Sequence, residues 1–519
     1  MNRLTLAHLL PDQVLPPTIA NLFVGDLRLD SRQVSAGDVF ICLGGEAYID
    51  EVVKAKAVAV LFDDNSRDVF NKRGINTASP SYYESTVFVA VPSLAAQLAE
   101  LAGRKYATLN MPNIVGVTGT NGKSTLVSLI AQLLQGARQN ISRKRQAARQ
   151  ANVATIGTLG VGVLGEPLVE TGMTTPDIFS NYRVLAEFSR RGVTDVAMEV
   201  SSHGLSQGRV TGLPITTAVF TNLTQDHLDY HGDIASYAKA KRMLFEMSTV
   251  STAIINADDE QANLMAGGVV SGVVIRYGIH RGDVRAENIY TRQNGTAFRL
   301  TSPWGNADII SPLYGVFNVY NLLAAITTAM VHGAEFAEVV RSIPALQAIA
   351  GRMQQLAPVG GVQVVVDFAH TPDGLEQALT ALRAHTVGRV WVVFGCGGNR
   401  DKQKRALMGA IAEDLAEELI LTSDNPRNEN PAAILADIAS GCKKAVRTIV
   451  DRKEAIEYSI EHAMAGDCVL IAGKGHESFQ IIKEQKIPFS DVAVANQALA
   501  QKSAQLALHT SSSGHGGKP

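Results

Sequence analysis

Cysteine is scarce in this chain: 519 residues hold four, Cys42, Cys396, Cys442 and Cys468. None stands in a CxxC pair, which excludes a disulfide framework and a structural zinc site. An excess of one charge is also missing. Lys plus Arg number 47 against 49 Asp plus Glu, a net of −2. That balance leaves no global field for nucleic acid or anionic lipid and confines any polyanion site to a local one. No stretch reaches the roughly 20 apolar residues that cross a bilayer. The opening MNRLTLAHLLPDQ meets Pro11 and Asp12 before an apolar core forms, so it is not expected to be a signal peptide. A soluble, cytoplasmic monomer without a nucleic-acid partner is expected.

What is present is material for several cores. Hydrophobic residues make up 46% and charged residues 18%, and at roughly 150 residues per domain the length predicts three or four domains. Short β-branched runs recur, each followed by a Gly, Ser, Asp or His-rich turn and then a helical stretch. NIVGVTGTNGKS, DVAMEVSSHG, AVFTNLTQDH, VQVVVDFAHTPD, VWVVFGCGGNRD, ELILTSDNPR and CVLIAGKGHE all fit. Continuous apolar strands are buried on both faces, as in parallel α/β sheets, whose ligands bind at the carboxyl ends of the strands. Blocks are expected at 1–108, 109–347 and 348–505, with a disordered tail at 506–519. Arg138 to Gln150 carries five basic residues and no acid. A solvated surface helix or loop is expected there, with a polyanion patch as the other reading.

The strand NIVGV runs into TGTNGKST. Gly119 and Gly122 permit a tight turn whose N–H groups, with those of Thr120, Asn121 and Thr125, face one anion. Lys123 supplies a cation for terminal phosphates and Ser124 an oxygen for magnesium. Val117 stands where the first glycine of the strict phosphate-loop pattern would be, but GxxGTxGKS fits from Gly116 to Ser124. At neighbouring strand ends, MEVSSHG places Glu199, Ser201 and His203, and TNLTQDHLDYHGD places His227. Glu199 and His227 are candidates for a second magnesium beside the phosphates.

These motifs, with AKAKRMLF, INADDE, GVFNVYNLLAA, GRMQ and DFAHTPD, occur in an order that resembles the Mur ligases. These are ATP-dependent amide-forming enzymes of peptidoglycan precursor synthesis. The resemblance spans most of the chain. It implies a domain for a uridine nucleotide sugar, a phosphate-loop ATPase domain and a Rossmann-like carboxy-terminal domain. It also implies ATP and Mg2+ as cofactors. By resemblance Ser124, Glu199, His227 and a carbamate formed on Lys241 are metal ligands. Asn318, Arg352 and Asp367 touch the nucleotide, Arg352 steadies the transferred phosphoryl group, and His370 lies beside them.

Substrate is read from the remaining turns. Leu29 and Ser31 match uridine contacts of the tripeptide-forming branch. Thr174, Thr175, Ser201, Gln207 and Arg209 match residues gripping the sugar peptide, UDP-N-acetylmuramoyl-L-alanyl-D-glutamate. SDNPRNENP carries DNPR (Asp424, Asn425, Pro426, Arg427), which is characteristic of members adding meso-2,6-diaminopimelate. That amino acid is lysine with a further carboxylate, and a guanidinium forks onto a carboxylate where lysine offers nothing. Arg400 in GGNRDK is the second expected anion clamp, and Gly473 and Glu477 in AGKGHE are expected at the far head group. One departure is visible: the resemblance implies several more residues between VFICLGG and the next helix, where this chain passes through Gly44-Gly45-Glu46-Ala47 straight to YIDEVVK. A lysine-adding or folate-linked ligase and a catalytically silent structural relative are the competing readings.

Overall fold

The computed structural model describes residues 4–106, 110–145, 152–292 and 295–513. They form three main sheets in chain order. In the first, Leu27–Arg28, Val39–Cys42, Ala59–Asp63 and Thr86–Val91 lie parallel, with Ser81–Tyr83 antiparallel at one edge. The second has ten strands. Its centre is Asn113–Thr118, flanked by Val193–Glu199 and Ile215–Phe220, all parallel. The third places Gln363–Asp367, Cys468–Ala472, Val390–Phe394 and Glu418–Leu421 side by side and parallel.

The apolar runs read as double-sided strands for a visible reason. In the third sheet Val365, Val392 and Leu470 enter one core, while their neighbours Val364, Val366, Val393 and Ile471 enter the core on the opposite face. Helices cover both sides, so the middle positions of these strands are shielded from water. The polar turns therefore collect at the strands' carboxyl ends, where Glu199 and Asp367 are the last strand residues. The expected parallel order does not extend to the edges. An antiparallel meander, Val284–Arg292, Gly295–Ser302 and Gly305–Ser311, finishes the ten-stranded sheet.

Two expectations are corrected. The tail read as disordered from 506 is helical through residue 513, as part of the helix Asp491–Ser513. Ala495, Ala498 and Leu499 bury into the third domain's core, and Lys502 Nζ donates to the carbonyls of Ile460, Glu461 and Ala463. That contact satisfies the end of the preceding helix and holds this one down. Residues 514–519 lie outside the described residues. The basic segment is not simply a solvated face either. It continues the helix Lys123–Arg145, and Arg138 turns inward to the fully buried Asp195, also bonding Thr194 Oγ1 at 2.9 Å. Residues 146–150 lie outside the described residues. Among the described residues no helix is long and apolar enough to cross a membrane.

Asp195 also pairs with His332 Nδ1 at 3.0 Å, and His332 Nε2 lies 3.1 Å from Thr217 Oγ1. Burial alone raises this carboxyl, but the bonds from His332 and Arg138 outweigh it and hold the pKa well below the carboxylate range. A depressed folded pKa contributes stability above the unfolded value near about 4 and loses it as pH falls further. Asp195→Asn is therefore expected to cost about 2 kcal/mol at pH 7. It should also flatten the fall of stability below about pH 4. Denaturant melts at pH 7, 5 and 3.5 measure both, and an unchanged acid slope contradicts the assignment.

Candidate functional site

The loop between Asn113–Thr118 and Lys123–Arg145 closes around two glycines with φ of +151° and +83°, Gly119 and Gly122. A Cβ on Gly119 would stand 1.9 Å from Thr221 Oγ1, and one on Gly122 2.7 Å from Asn321 Oδ1. No other residue fits either place. The loop is tied to the next strand end. Thr120 N donates to Asn222 O at 2.8 Å, Asn121 N to Asn222 Oδ1 at 2.9 Å, and Thr221 Oγ1 to Asn121 O at 2.7 Å. Lys123 Nζ folds back onto the carbonyls of Gly119 and Thr120 at 2.9 and 2.8 Å. Ser124 is buried at the helix start, and Thr125 lines the adjoining cleft.

Lys241, on the helix Ile234–Arg242, is 1% exposed. Its Nζ donates to the same Gly119 carbonyl at 2.8 Å and sits 4.2 Å from the centre of the Tyr237 ring. Burial first, and the neighbouring Lys123 ammonium second, push its pKa well below the usual lysine value. Glu199 is buried, with Oε1 accepting from Thr158 N at 2.9 Å and Oε2 from Thr158 Oγ1 at 3.2 Å. His227 has a left-handed backbone (φ +54°) and its ring lies 4.9 Å from that of His203. Among the described residues no three His, Cys, Asp or Glu side chains form a metal cage. A divalent ion here needs other oxygens, and the Ser124 hydroxyl and a carbamate on Lys241 are of the hard-donor kind that magnesium takes.

A cleft of about 100 Å³ opens beside the phosphate loop, with Asn318 on one wall and Arg352, Asp367 and His370 on the other. Arg352 lies over Phe368, 4.4 Å from the ring centre, and its buried Nε has no hydrogen-bond partner among the described residues. Asp367 accepts from Met353 N at 2.6 Å and Ala369 N at 2.8 Å, which fixes the turn carrying His370. Asn318 Nδ2 donates to Tyr314 O and its Oδ1 accepts from Asn321. Asn121 Nδ2 reaches Asp373 Oδ2 at 3.0 Å, so the phosphate loop touches the third domain directly. The cleft lies at that seam.

The residues expected to grip a sugar peptide form a linked set beside Glu199. Thr175 Oγ1 donates to Glu199 O and contacts Ser201 Oγ, both at 3.0 Å. Arg209 Nη1 donates to Thr175 O at 2.8 Å and its Nε to Gln207 Oε1 at 3.0 Å, while Thr174 Oγ1 accepts from Thr158 Oγ1. Leu29 lines a separate cleft of about 150 Å³ with Gln33, Met173 and Arg183. Ser31 does not line it. It is buried, and its hydroxyl donates to Glu51 Oε2 at 2.8 Å, on the helix Ile49–Lys54.

At the far end of the third sheet, the DNPR turn meets the GGNR turn. Gly398 N donates to Asn425 O at 2.9 Å and Arg427 Nη1 to Gly398 O at 2.9 Å. A Cβ on Gly398 would stand 1.9 Å from Pro426 O. Burial and the nearby Arg400 cation both lower the Arg427 pKa. Asp424 is buried against Gly473, where a Cβ would come within 2.6 Å of its Oδ2. Asn425 Nδ2 donates to Glu477 Oε2 at 2.9 Å. Sequence reasoning missed Lys474, which is fully buried and donates to Asn425 Oδ1 at 3.0 Å and Glu477 Oε2 at 2.7 Å. Its signal was present: a lysine directly after the apolar strand CVLIA and one glycine. Arg405 was missed too, and no signal marks it, since an arginine on a helix reads as solvated.

Residues 117–329 match the Mur ligase middle domain, and residues 351–475 match the Mur ligase glutamate ligase domain. The chain is 38% identical over 508 residues to a UDP-N-acetylmuramoyl-L-alanyl-D-glutamate–2,6-diaminopimelate ligase of Vibrio vulnificus, covering 96% of this chain and 99% of that one. It is 41% identical over 505 residues to the ligase of the same name from Pseudomonas aeruginosa, covering 94% and 98%. A solved structure bearing that name superposes with a TM-score of 0.68 at 33% identity, covering 96% of this chain and 99% of that one.

Proposed function

This chain belongs to the Mur ligase family, and from that premise we propose that it adds meso-2,6-diaminopimelate to the D-glutamate of UDP-N-acetylmuramoyl-L-alanyl-D-glutamate, using ATP. The observation that carries the amino-acid choice is the packing of the DNPR turn against the GGNR turn, which puts the like-charged Arg427 and Arg400 together. Two guanidiniums at one place repel unless an anion joins them, and the second carboxylate of diaminopimelate is such an anion. Residues 1–108 take the uridine nucleotide, 109–347 the ATP and 348–505 the amino acid in this reading.

The chemistry follows from the substrates. A carboxylate is a poor electrophile, so its oxygen attacks the terminal phosphorus of ATP, giving an acyl phosphate and ADP. The amine of the incoming amino acid then attacks the acyl carbon, the amide forms and phosphate leaves. The barrier lies largely in bringing anions together. Lys123 at the loop and Arg352 on the cleft wall offset that repulsion, and Thr175, Ser201, Gln207 and Arg209 orient the sugar peptide. Ser124, Glu199, His227 and carbamylated Lys241 would hold magnesium, which supplies further charge neutralisation. Glu477, kept ionised and oriented by Lys474, meets the ammonium of the amino-acid head group.

Phosphate release with the UDP-sugar dipeptide, run with diaminopimelate and with lysine, tests the reading. Diaminopimelate should support full turnover and lysine only weak turnover. Arg427→Ala is expected to lower kcat/KM for diaminopimelate on the order of 10- to 100-fold, since a charged bidentate contact is worth about 1.5–3 kcal/mol. KM for ATP should hold. Equal use of lysine by the wild type turns the assignment to a lysine-adding ligase, and an equal loss of ATP affinity in Arg427→Ala removes the clamp from the amino-acid site.

A further inference from the structure

We propose that the ion pair between Arg405 and Glu429 is a positioning device that sets the spacing of Arg400 and Arg427 and so determines the choice of a second carboxylate. The proposal rests on the reading that these two arginines receive diaminopimelate. Arg405 is 1% exposed, on the helix Gln403–Leu415 directly after the GGNRDK turn. Its guanidinium forks onto Glu429, Nη1 to Oε2 and Nη2 to Oε1, both at 3.0 Å. Nη1 also meets Asp437 Oδ2 at 2.8 Å, and Nη2 donates to Gly397 O at 3.3 Å. Arg405 thus grips the first turn by its backbone and the second through Glu429.

Glu429 completes the link in the other direction. It lies two residues after Arg427 and accepts from Asn399 N, next to Arg400. Asn428 N donates to Asn399 Oδ1 at 3.2 Å, and Glu429 N to Pro426 O at 3.0 Å. Both oxygens of Glu429 are therefore engaged within the protein, and a free carboxylate there would repel an anionic ligand. It orients the clamp without entering it.

The two turns need such a brace. Asn399 and Arg427 both hold left-handed backbones, φ +55° and +51°, a conformation that costs a non-glycine residue energy unless its surroundings over-determine it. The Arg427 backbone is pinned from its far side as well: Arg427 N donates to Ile481 O at 3.1 Å and Lys483 N to Arg427 O at 2.7 Å, both in the hairpin Phe479–Pro488. Hairpin and ion pair thus hold the Arg427 backbone from both sides.

Glu429→Gln tests this, because the amide keeps the shape and turns an N–H group toward the guanidinium or the Asn399 N–H. KM for diaminopimelate should rise on the order of 10-fold or more, since a misplacement of about 1 Å in a positioned site has effects of that size. KM for ATP and the UDP-sugar dipeptide should not move, nor should the weak turnover with lysine, so the diaminopimelate-to-lysine preference falls. Asp437→Asn is the control. It removes the other carboxylate from Arg405 without touching either turn, and the preference should stay. A purely structural role for Arg405 predicts equal losses with both amino acids and in both variants, and that result overturns the proposal. So does an unchanged preference in Glu429→Gln. Should that variant not fold, Glu429→Asp keeps the charge, draws the second turn inward, and should lower the preference by the same measure. Wild-type turnover with diaminopimelate in the same assay separates the two readings: without it the substrate assignment fails, and with it only the positioning role is at stake.

Discussion

A Lys123→Ala protein is expected to fold normally and to lose ligation by about 10²-fold or more. The Lys123 side chain belongs to the loop and not to the apolar cores on either face of the sheet. Its Nζ bonds only the carbonyls of Gly119 and Thr120, and alanine is a good residue for the start of the helix Lys123–Arg145. What alanine removes is one preorganised charge from a site where phosphate oxygens crowd together, and single donors of that kind are worth about 10²- to 10³-fold in rate. Thermal melts check the fold and ADP release checks the chemistry. A folded variant turning over at near the wild-type rate would sink the assignment of this loop to ATP. An unfolded one would show that the lysine's bonds to the loop carbonyls are needed for the fold.

Lys241→Ala is expected to inactivate the enzyme to a similar degree, for a different reason. Carbamate formation joins the Lys241 nitrogen to the carbon of carbon dioxide and releases one proton, so it requires a neutral amine. Burial at 1% exposure, beside the Lys123 ammonium, lowers the Lys241 pKa well below the usual lysine value and so favours that form. The product replaces a second cation next to Lys123 with an anion. A short carboxylate added to the assay should partly restore turnover in Lys241→Ala by occupying the vacated space. Wild-type turnover should also fall in buffers stripped of carbon dioxide and recover on adding bicarbonate. Crystallographic density for a bare ammonium at Lys241, with magnesium and substrates bound, refutes the carbamate.

Much of the site was legible in the chain alone. Gly119, Gly122, Lys123 and Ser124 follow an apolar strand at a spacing with one physical use. The strand-end residues Glu199 and Asp367 are placed by the same logic, because a parallel sheet buries everything except its ends. Ser31 shows where that reasoning stops. Its motif resembles a uridine contact, and only the fold shows that its hydroxyl donates to Glu51 on the helix Ile49–Lys54. The tail at 506–513 fails differently: local composition reads as loose, and the buried Ala495, Ala498 and Leu499 upstream anchor a helix that simply continues.

By itself the sequence determined the strands, the phosphate loop, the family chemistry and the identity of the two arginines that would choose the amino acid. Each rests on residues close together in the chain, where periodicity and turn chemistry act over a few positions. Only the tertiary structure decided how distant groups meet. Lys241 shares the Gly119 carbonyl with Lys123, and Asn121 reaches across to Asp373. Lys474 sits between Asn425 and Glu477, while Arg405, unremarkable on its helix, joins the turns that carry Arg400 and Arg427. Burial converts these charged side chains from solvated ones into paired and oriented ones, because a charge withdrawn from water must find its partner within the protein.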